Sequence, residues 1–311
     1  MLKPTTVREA GWGSVDFDDP SRYDELTQIR LRHPEEIARQ AAQRTPFSGL
    51  AAGEQLFVIA ADHTARGAAS VGTQLGVMAD RRVLLDRLLI ALANPGCRGV
   101  LASPDILDDL QLLGALDGKL VIGSLNRAGI MGASFEVDDL RTGHSARGAV
   151  QNNLDGVKAL CRICLDDAAT PRMLEAMAGL VDDLAEHQRI AMLEPFMSEW
   201  REGKLVNQLD PDSVIKSIQI ASALGNTTAY TWLKIPYVNE MERVMASTTL
   251  PSLLLGGDTG DDLETLLRGW ESALALPNVV GLTAGRRLLY PENGDVAAAV
   301  QGAVDVLQVS A

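Results

Sequence analysis

Cysteine is scarce in this chain. Cys97, Cys161 and Cys164 are the three in 311 residues, an odd number that excludes a disulfide framework and suits a reducing compartment. Long apolar runs are missing too. The uncharged stretch 217–233 is broken by Gln219, Ser222, Asn226, Thr227 and Thr228, well short of the ~18 apolar residues of a membrane span. Basic charge is in deficit, 28 residues against 41 acidic for a net −13, so nucleic acid is not an expected partner. Histidine is thin: His33, His63, His144 and His187 are too scattered to suggest a metal site. No apolar block follows Lys3 and Arg8, so no secretory signal is read and a cytoplasmic location is expected.

What is present is a core. Hydrophobic residues make up 46% and charged residues 22%, which excludes disorder. The length fits the ~250 residues of a (β/α)8 barrel plus an extension. Residues 23–44 are mixed-charge and helix-prone, split at His33-Pro34 because proline disfavours helix in the residue before it. The reading is an N-terminal helical extension over 1–50 and a barrel over 51–311.

From residue 55 onward, short runs of Val, Ile or Leu alternate with glycine or polar loops and amphipathic stretches. Strands are predicted at 55–63, 99–103, 119–125, 156–163, 190–196, 230–235, 251–256 and 279–283. Their near-continuous apolarity suits parallel strands covered on both faces. Helices are predicted at 80–93, 171–187, 211–224, 261–276 and 295–307, each opening on Asp or Pro as helix starts prefer. Eight such units favour an α/β fold of the (β/α)8 TIM barrel type over an open sheet. Segment 126–145 is long enough for a lid or an added loop. Cys161 and Cys164 lie three apart in the fourth predicted strand and so face opposite ways; neither redox nor metal work is expected of them.

Ionisable residues inside these runs are the functional signal. On one face the first strand carries Val58, Ala60 and Asp62, and the fourth carries Lys158, Leu160 and Arg162. The fifth has Met192, Glu194 and Phe196, and the sixth has Tyr230, Trp232 and Lys234. A buried charge without a partner costs several kcal/mol, so Asp62, Lys158, Glu194 and Lys234 are best explained together, as two cations and two anions meeting at the barrel mouth. Lys158 sits early in its strand and fits less well; singly, each residue is also compatible with a solvated strand end. A lysine amine attacks a carbonyl only when neutral, which requires desolvation or a neighbouring cation. Lys234 has the apolar setting, Lys158 could supply the cation, Glu194 could carry protons, and Asp62 could orient a lysine or a substrate hydroxyl. These are the parts of a Schiff-base aldolase.

Two glycine loops follow the last two strands, Gly256-Gly257 and Gly285-Arg286. Barrels often bind phosphate there, although glycines also serve plain tight turns. No P-loop or G-x-G-x-x-G spacing occurs, so ATP and NAD are not supported. Arg66 is read as a phosphate or carboxylate ligand or a surface ion-pair partner, and His63 as a substrate contact or a structural residue.

The chain resembles the class I aldolases of the DeoC/LacD superfamily, most closely the tagatose-1,6-bisphosphate aldolase branch, over residues 55–307. The resemblance is carried by Val58-Ile-Ala-Ala-Asp-His63, Asp155-Gly-Val-Lys-Ala-Leu160, Met192-Leu-Glu-Pro195, Trp232-Leu-Lys-Ile-Pro236 and the two glycine pairs. It implies Lys234 as the imine-forming lysine, Glu194 as the proton shuttle, Asp62 and Lys158 beside them, and no cofactor. The chain also resembles aldolase-like proteins encoded with bacterial myo-inositol catabolism genes, which implies 2-deoxy-5-keto-gluconate 6-phosphate as substrate, cleaved to dihydroxyacetone phosphate and malonate semialdehyde. Cys161-Arg162-Ile163-Cys164 replaces the aromatic strand end usual in tagatose enzymes, and Arg162 could meet a substrate carboxylate. Barrels of this kind often assemble as homo-oligomers. The alternatives are a phosphosugar isomerase or epimerase using Asp62 and Glu194, or a non-catalytic metabolite-binding barrel.

Overall fold

A short strand that is apolar on both faces can bury itself only with neighbours at its edges and helices over its outer side. The computed structural model describes residues 21–256 and 263–309, and in it each predicted strand meets that requirement. The parallel strands are β1 (Leu56–Ala61), β2 (Cys97–Ala102), β3 (Leu120–Ser124), β4 (Gly156–Cys164), β5 (Ile190–Arg201), β7 (Thr231–Pro236), β8 (Ser252–Leu255) and β9 (Val279–Ala284). They pair in that order, β9 pairs with β1, and the sheet closes. The result is a (β/α)8 barrel.

Odd and even positions divide the interior. Phe57, Ile59, Val157, Ala159, Leu193, Leu233 and Ile235 point outward into the main core beneath the helices. Leu56, Val58, Ala60, Leu120, Ile122, Met192 and Leu253 fill the barrel itself, as the two-residue strand period dictates.

Helices α3 (Arg81–Ala93), α6 (Thr170–Glu186), α7 (Pro211–Ser222), α9 (Leu263–Leu274) and α11 (Val296–Val309) correspond to the five predicted; residues 261 and 262 of the fourth prediction lie outside the described residues. Aspartates cap the starts of three: Asp80 accepts from the amides of Arg82 and Val83, Asp210 from that of Ser213, and Asp295 from that of Ala298. Four shorter helices join them: α4 (Pro104–Leu112), α5 (Ala146–Gln151), α8 (Met241–Met245) and α10 (Arg286–Leu289). Among the described residues no helix is long and apolar enough to cross a membrane.

One feature differs from the strand predictions. The fifth strand runs past residue 196 to Arg201, turns through Glu202 and Gly203, both with positive φ, and returns as β6 (Lys204–Asn207), antiparallel to it. Left-handed backbone at both turn positions matches the right-handed twist of the paired strands. This hairpin stands above the barrel rim, pinned by a hydrogen bond from Trp200 Nε1 to Asp167 (2.8 Å). The N-terminal extension is described from residue 21 onward. After α1 (Ser21–Arg32) and α2 (Glu35–Gln43), Arg44 donates to the Lys119 carbonyl (2.9 Å), and Asn153 donates to that of Ala41 (3.1 Å). Residues 119 and 153 precede β3 and β4, so these contacts lie at the amino ends of the strands. There Phe47 and Leu50 pack against the inner barrel cluster. The opposite, carboxyl-end face is left to the site.

Candidate active site

A cavity of about 760 Å³ opens at the carboxyl ends of the strands, where barrels keep their chemistry. Asp62, Lys158, Glu194 and Lys234 all line it, and all are buried. Their heads form a chain. Lys234 Nζ lies 2.8 Å from Glu194 Oε1, Glu194 Oε2 meets Lys158 Nζ, and Lys158 Nζ is 3.3 Å from Asp62 Oδ2. The early placement of Lys158 is resolved by side-chain length. It pairs in register with Met192, one layer below Glu194, and its four-carbon stem climbs the ~6–7 Å of a two-residue step to reach the carboxylate.

The chain sets the charge states. Burial would raise Asp62, but Arg127 and Lys158 outweigh it and hold that carboxyl well below its usual range. Burial would likewise raise Glu194, yet Lys158 and Lys234 bring it down to about 2. Both are therefore anions at neutral pH. Burial pushes Lys158 down to about 8 against the pull of Asp62 and Glu194. His63 lines the cavity with its Nδ1 3.9 Å from Asp62 Oδ1; burial brings its imidazole down to about 3, so it is neutral.

Arg66 and Arg162 also line the cavity, and segment 126–145 reaches across to hold both. Glu136 Oε1 takes Arg66 Nη2 at 2.9 Å and also meets Arg162 Nη1. Arg162 Nη2 donates to the Glu136 carbonyl (2.9 Å), and Arg66 Nε to that of Gly129 (3.0 Å). Burial, with Arg162 and Arg127 nearby, lowers Arg66 to about 10. Gly256, Gly285 and Arg286 line the cavity as well, while Gly257 lies outside the described residues. A Cβ on Gly285 would collide with the Ala60 carbonyl oxygen, so this glycine is required by the close approach of β9 to β1.

Two contributors are absent from the sequence reading. Arg127 pairs with Asp62 Oδ2 at 2.9 Å and donates from Nη1 to the Asp62 carbonyl at 3.2 Å. Its place is fixed by Asn126, whose amide bonds both backbone groups of Leu160 (2.8 and 2.5 Å) and so extends the β3 edge by a side chain. The hairpin is the other: Lys204, Leu205, Val206 and Asn207 form part of the cavity wall, which also carries an apolar patch of Leu160, Phe196 and Leu255. Cys161 and Cys164 are buried, neither is among the cavity-lining residues, and burial raises Cys161 to about 12.

A buried lysine touching a carboxylate, with a second lysine behind it, can exchange protons with a bound carbonyl compound and hold a developing charge. Comparison with solved structures agrees on the scaffold. An archaeal fructose-1,6-bisphosphate aldolase, solved with its catalytic lysine bound to a carbinolamine intermediate, matches with a TM-score of 0.63 at 18% identity, over 87% of this chain and 99% of that one. A fructose-bisphosphate aldolase from Slackia heliotrinireducens matches with a TM-score of 0.56 at 15% identity, over 97% of this chain and 95% of that one. At such identities the shared property is the barrel fold. No functionally curated protein matches significantly. The protein Cgl0159 of Corynebacterium glutamicum (Brevibacterium flavum) is 49% identical, with a TM-score of 0.91 over 94% of this chain and 99% of that one. The Cgl0159-like family model matches residues 54–304, and the chain belongs to that family.

Proposed function

We propose that the protein is a class I aldolase acting on a phosphorylated ketose or keto-acid sugar. The observation that carries this reading is the buried chain from Lys234 through Glu194 and Lys158 to Asp62. The neutral form of Lys234, its proton lost to water, attacks the substrate ketone, with Glu194 2.8 Å from its Nζ placed to relay protons. The carbinolamine oxygen is protonated and leaves as water, giving an iminium on Lys234. The iminium accepts the electron pair of the breaking carbon-carbon bond while the β-hydroxyl loses its proton, so an aldehyde departs and an enamine remains. Protonation of the enamine carbon and addition of water release the ketone product and restore the amine. Lys158 keeps Glu194 anionic between proton transfers, and Asp62 orients the hydroxyl.

The phosphate is assigned to Gly256, Gly285 and Arg286 beyond β8 and β9, as barrels commonly arrange it. The specific substrate we propose is 2-deoxy-5-keto-gluconate 6-phosphate, cleaved to dihydroxyacetone phosphate and malonate semialdehyde in inositol breakdown. It is supported by the excess of basic side chains in the cavity and by the resemblance to aldolase-like proteins of inositol gene clusters.

Borohydride treatment with substrate tests the reading: it should add the mass of the reduced ketone fragment or adduct at Lys234. Full activity of Lys234→Ala would overturn it. Turnover without any trapped lysine would instead favour an isomerase or epimerase working through Asp62 and Glu194.

A further inference from the structure

His63 stands in the cavity with one ring nitrogen committed and the other not. Its side chain lines the cavity and is 23% exposed. Nδ1 is buried, makes no hydrogen bond and faces Asp62 Oδ1 at 3.9 Å. Arg127, Lys158 and Ser124 all hold the other Asp62 oxygen, Oδ2, which leaves Oδ1 to the histidine. An ionised carboxylate can only accept, and a neutral imidazole has one N–H and one lone pair. The proton therefore belongs on Nδ1, toward the carboxylate, and the lone pair on Nε2. Nε2 is neither hydrogen-bonded among the described residues nor buried away from the cavity. The residue is fixed from behind, since its own carbonyl accepts the amides of Arg66 (3.1 Å) and Ala68 (3.2 Å).

We propose that His63 Nε2 accepts a hydrogen bond from the hydroxyl on the carbon next to the ketone, and so selects an α-hydroxy ketone as the fragment held on Lys234. A lone pair recognises a donor: a hydroxyl can give it a proton to share, whereas a ketone oxygen and a fully ionised phosphate cannot. Burial keeps the ring neutral, so it does not compete with Arg286 for the phosphate.

Its surroundings decide which hydroxyl this is. Besides Asp62, the charges that act on His63 are those of Arg286, Lys234 and Glu194, so the ring stands between the imine lysine and the arginine beyond β9. A group in that position faces the ketone fragment that runs from Lys234 to the phosphate, and the hydroxyl of that fragment is the one beside the carbonyl. The assignment rests on the aldolase reading for the choice of a ketone on Lys234, but not for the hydrogen bond itself.

The test is calorimetric titration of dihydroxyacetone phosphate and of hydroxyacetone phosphate, which lacks only that hydroxyl, into the wild-type protein, His63→Phe and His63→Gln, with borohydride then added to each mixture. Wild type should bind dihydroxyacetone phosphate about tenfold more tightly, the worth of one hydrogen bond. His63→Phe keeps a flat ring without nitrogen and should bring the two ketones to within about twofold by weakening the hydroxylated one alone. His63→Gln sets a carbonyl oxygen near the place of Nε2 and should restore part of the preference; His63→Ala replaces the phenylalanine variant if that does not fold. Equal binding of the two ketones by wild type, binding of neither, or an equal loss of both in His63→Phe would overturn the proposal, the last being what a purely structural histidine predicts. A preference that is lost in His63→Phe, with no lysine trapped in any mixture, would keep the hydroxyl site and remove the aldolase reading. Trapping at Lys234 without any preference would do the reverse.

Discussion

Replacing Glu194 by glutamine removes one charge and almost no volume, so its effect isolates the electrostatics of the site. Glu194 bridges two buried ammonium groups, and they hold its carboxyl at about 2 against an ordinary 4.5. At 1.36 kcal/mol per pKa unit, this preference for the ionised form contributes about 3 kcal/mol to folding at neutral pH. Breaking a buried ion pair from one side costs about 3–5 kcal/mol by mutational experience. Urea denaturation at pH 7 should therefore show Glu194→Gln about 3–5 kcal/mol less stable, through a lower midpoint with an unchanged m-value. The pH dependence follows from the sign of the shift. A depressed carboxyl contributes fully above its unfolded value near 4.5 and loses that contribution as pH falls toward its folded value of about 2. The gap between wild type and variant should accordingly shrink between pH 5 and pH 3. A difference below about 1 kcal/mol at pH 7, or a gap that stays constant into acid, would refute the bridge as the source of stability.

Two further outcomes are expected. Burial lowers Lys158 to about 8 from 10.5, so between those values the unfolded chain binds the extra proton and the contribution of this group rises with pH; Lys158→Met should flatten the stability profile over pH 8–10, and an unaltered slope in the variant would contradict the assignment. Gly285→Ala should lower the thermal midpoint, because its Cβ meets the Ala60 carbonyl and overpacking of that kind costs about 1–3 kcal/mol; a melting curve superimposable on wild type would show that β9 can retreat from β1.

Much of this arrangement is legible in the sequence because it breaks a local rule. The runs around Val58, Leu160, Leu193 and Leu233 are apolar enough to be covered on both sides, so they read as barrel strands, and a charge inside any of them stands out. Asp62, Lys158, Glu194 and Lys234 are conspicuous for that reason. Arg127 is not. It lies in a polar segment beside Asn126 and ahead of Gly129, where an arginine is ordinary, and only the folding of that segment over β4 turns it toward Asp62. Glu136 is hidden in the same way. The hairpin escaped because Ser198, Glu199 and Arg201 end the apolar run at the rim, although alternation continues through Trp200 and Leu205 about the Glu202-Gly203 turn. The short helix α4 carries a start signal in Ser103-Pro104 that the strand reading absorbed.

The stopper that Phe47 and Leu50 place under the barrel has a consequence for traffic. Among the described residues the cavity opens at the carboxyl ends of the strands, and the hairpin forms part of the wall of that mouth. On the aldolase reading, product leaves by the mouth through which the reactant enters. On that same reading, the fragment bound to Lys234 is held by a covalent bond until hydrolysis, so the free aldehyde leaves first through that mouth.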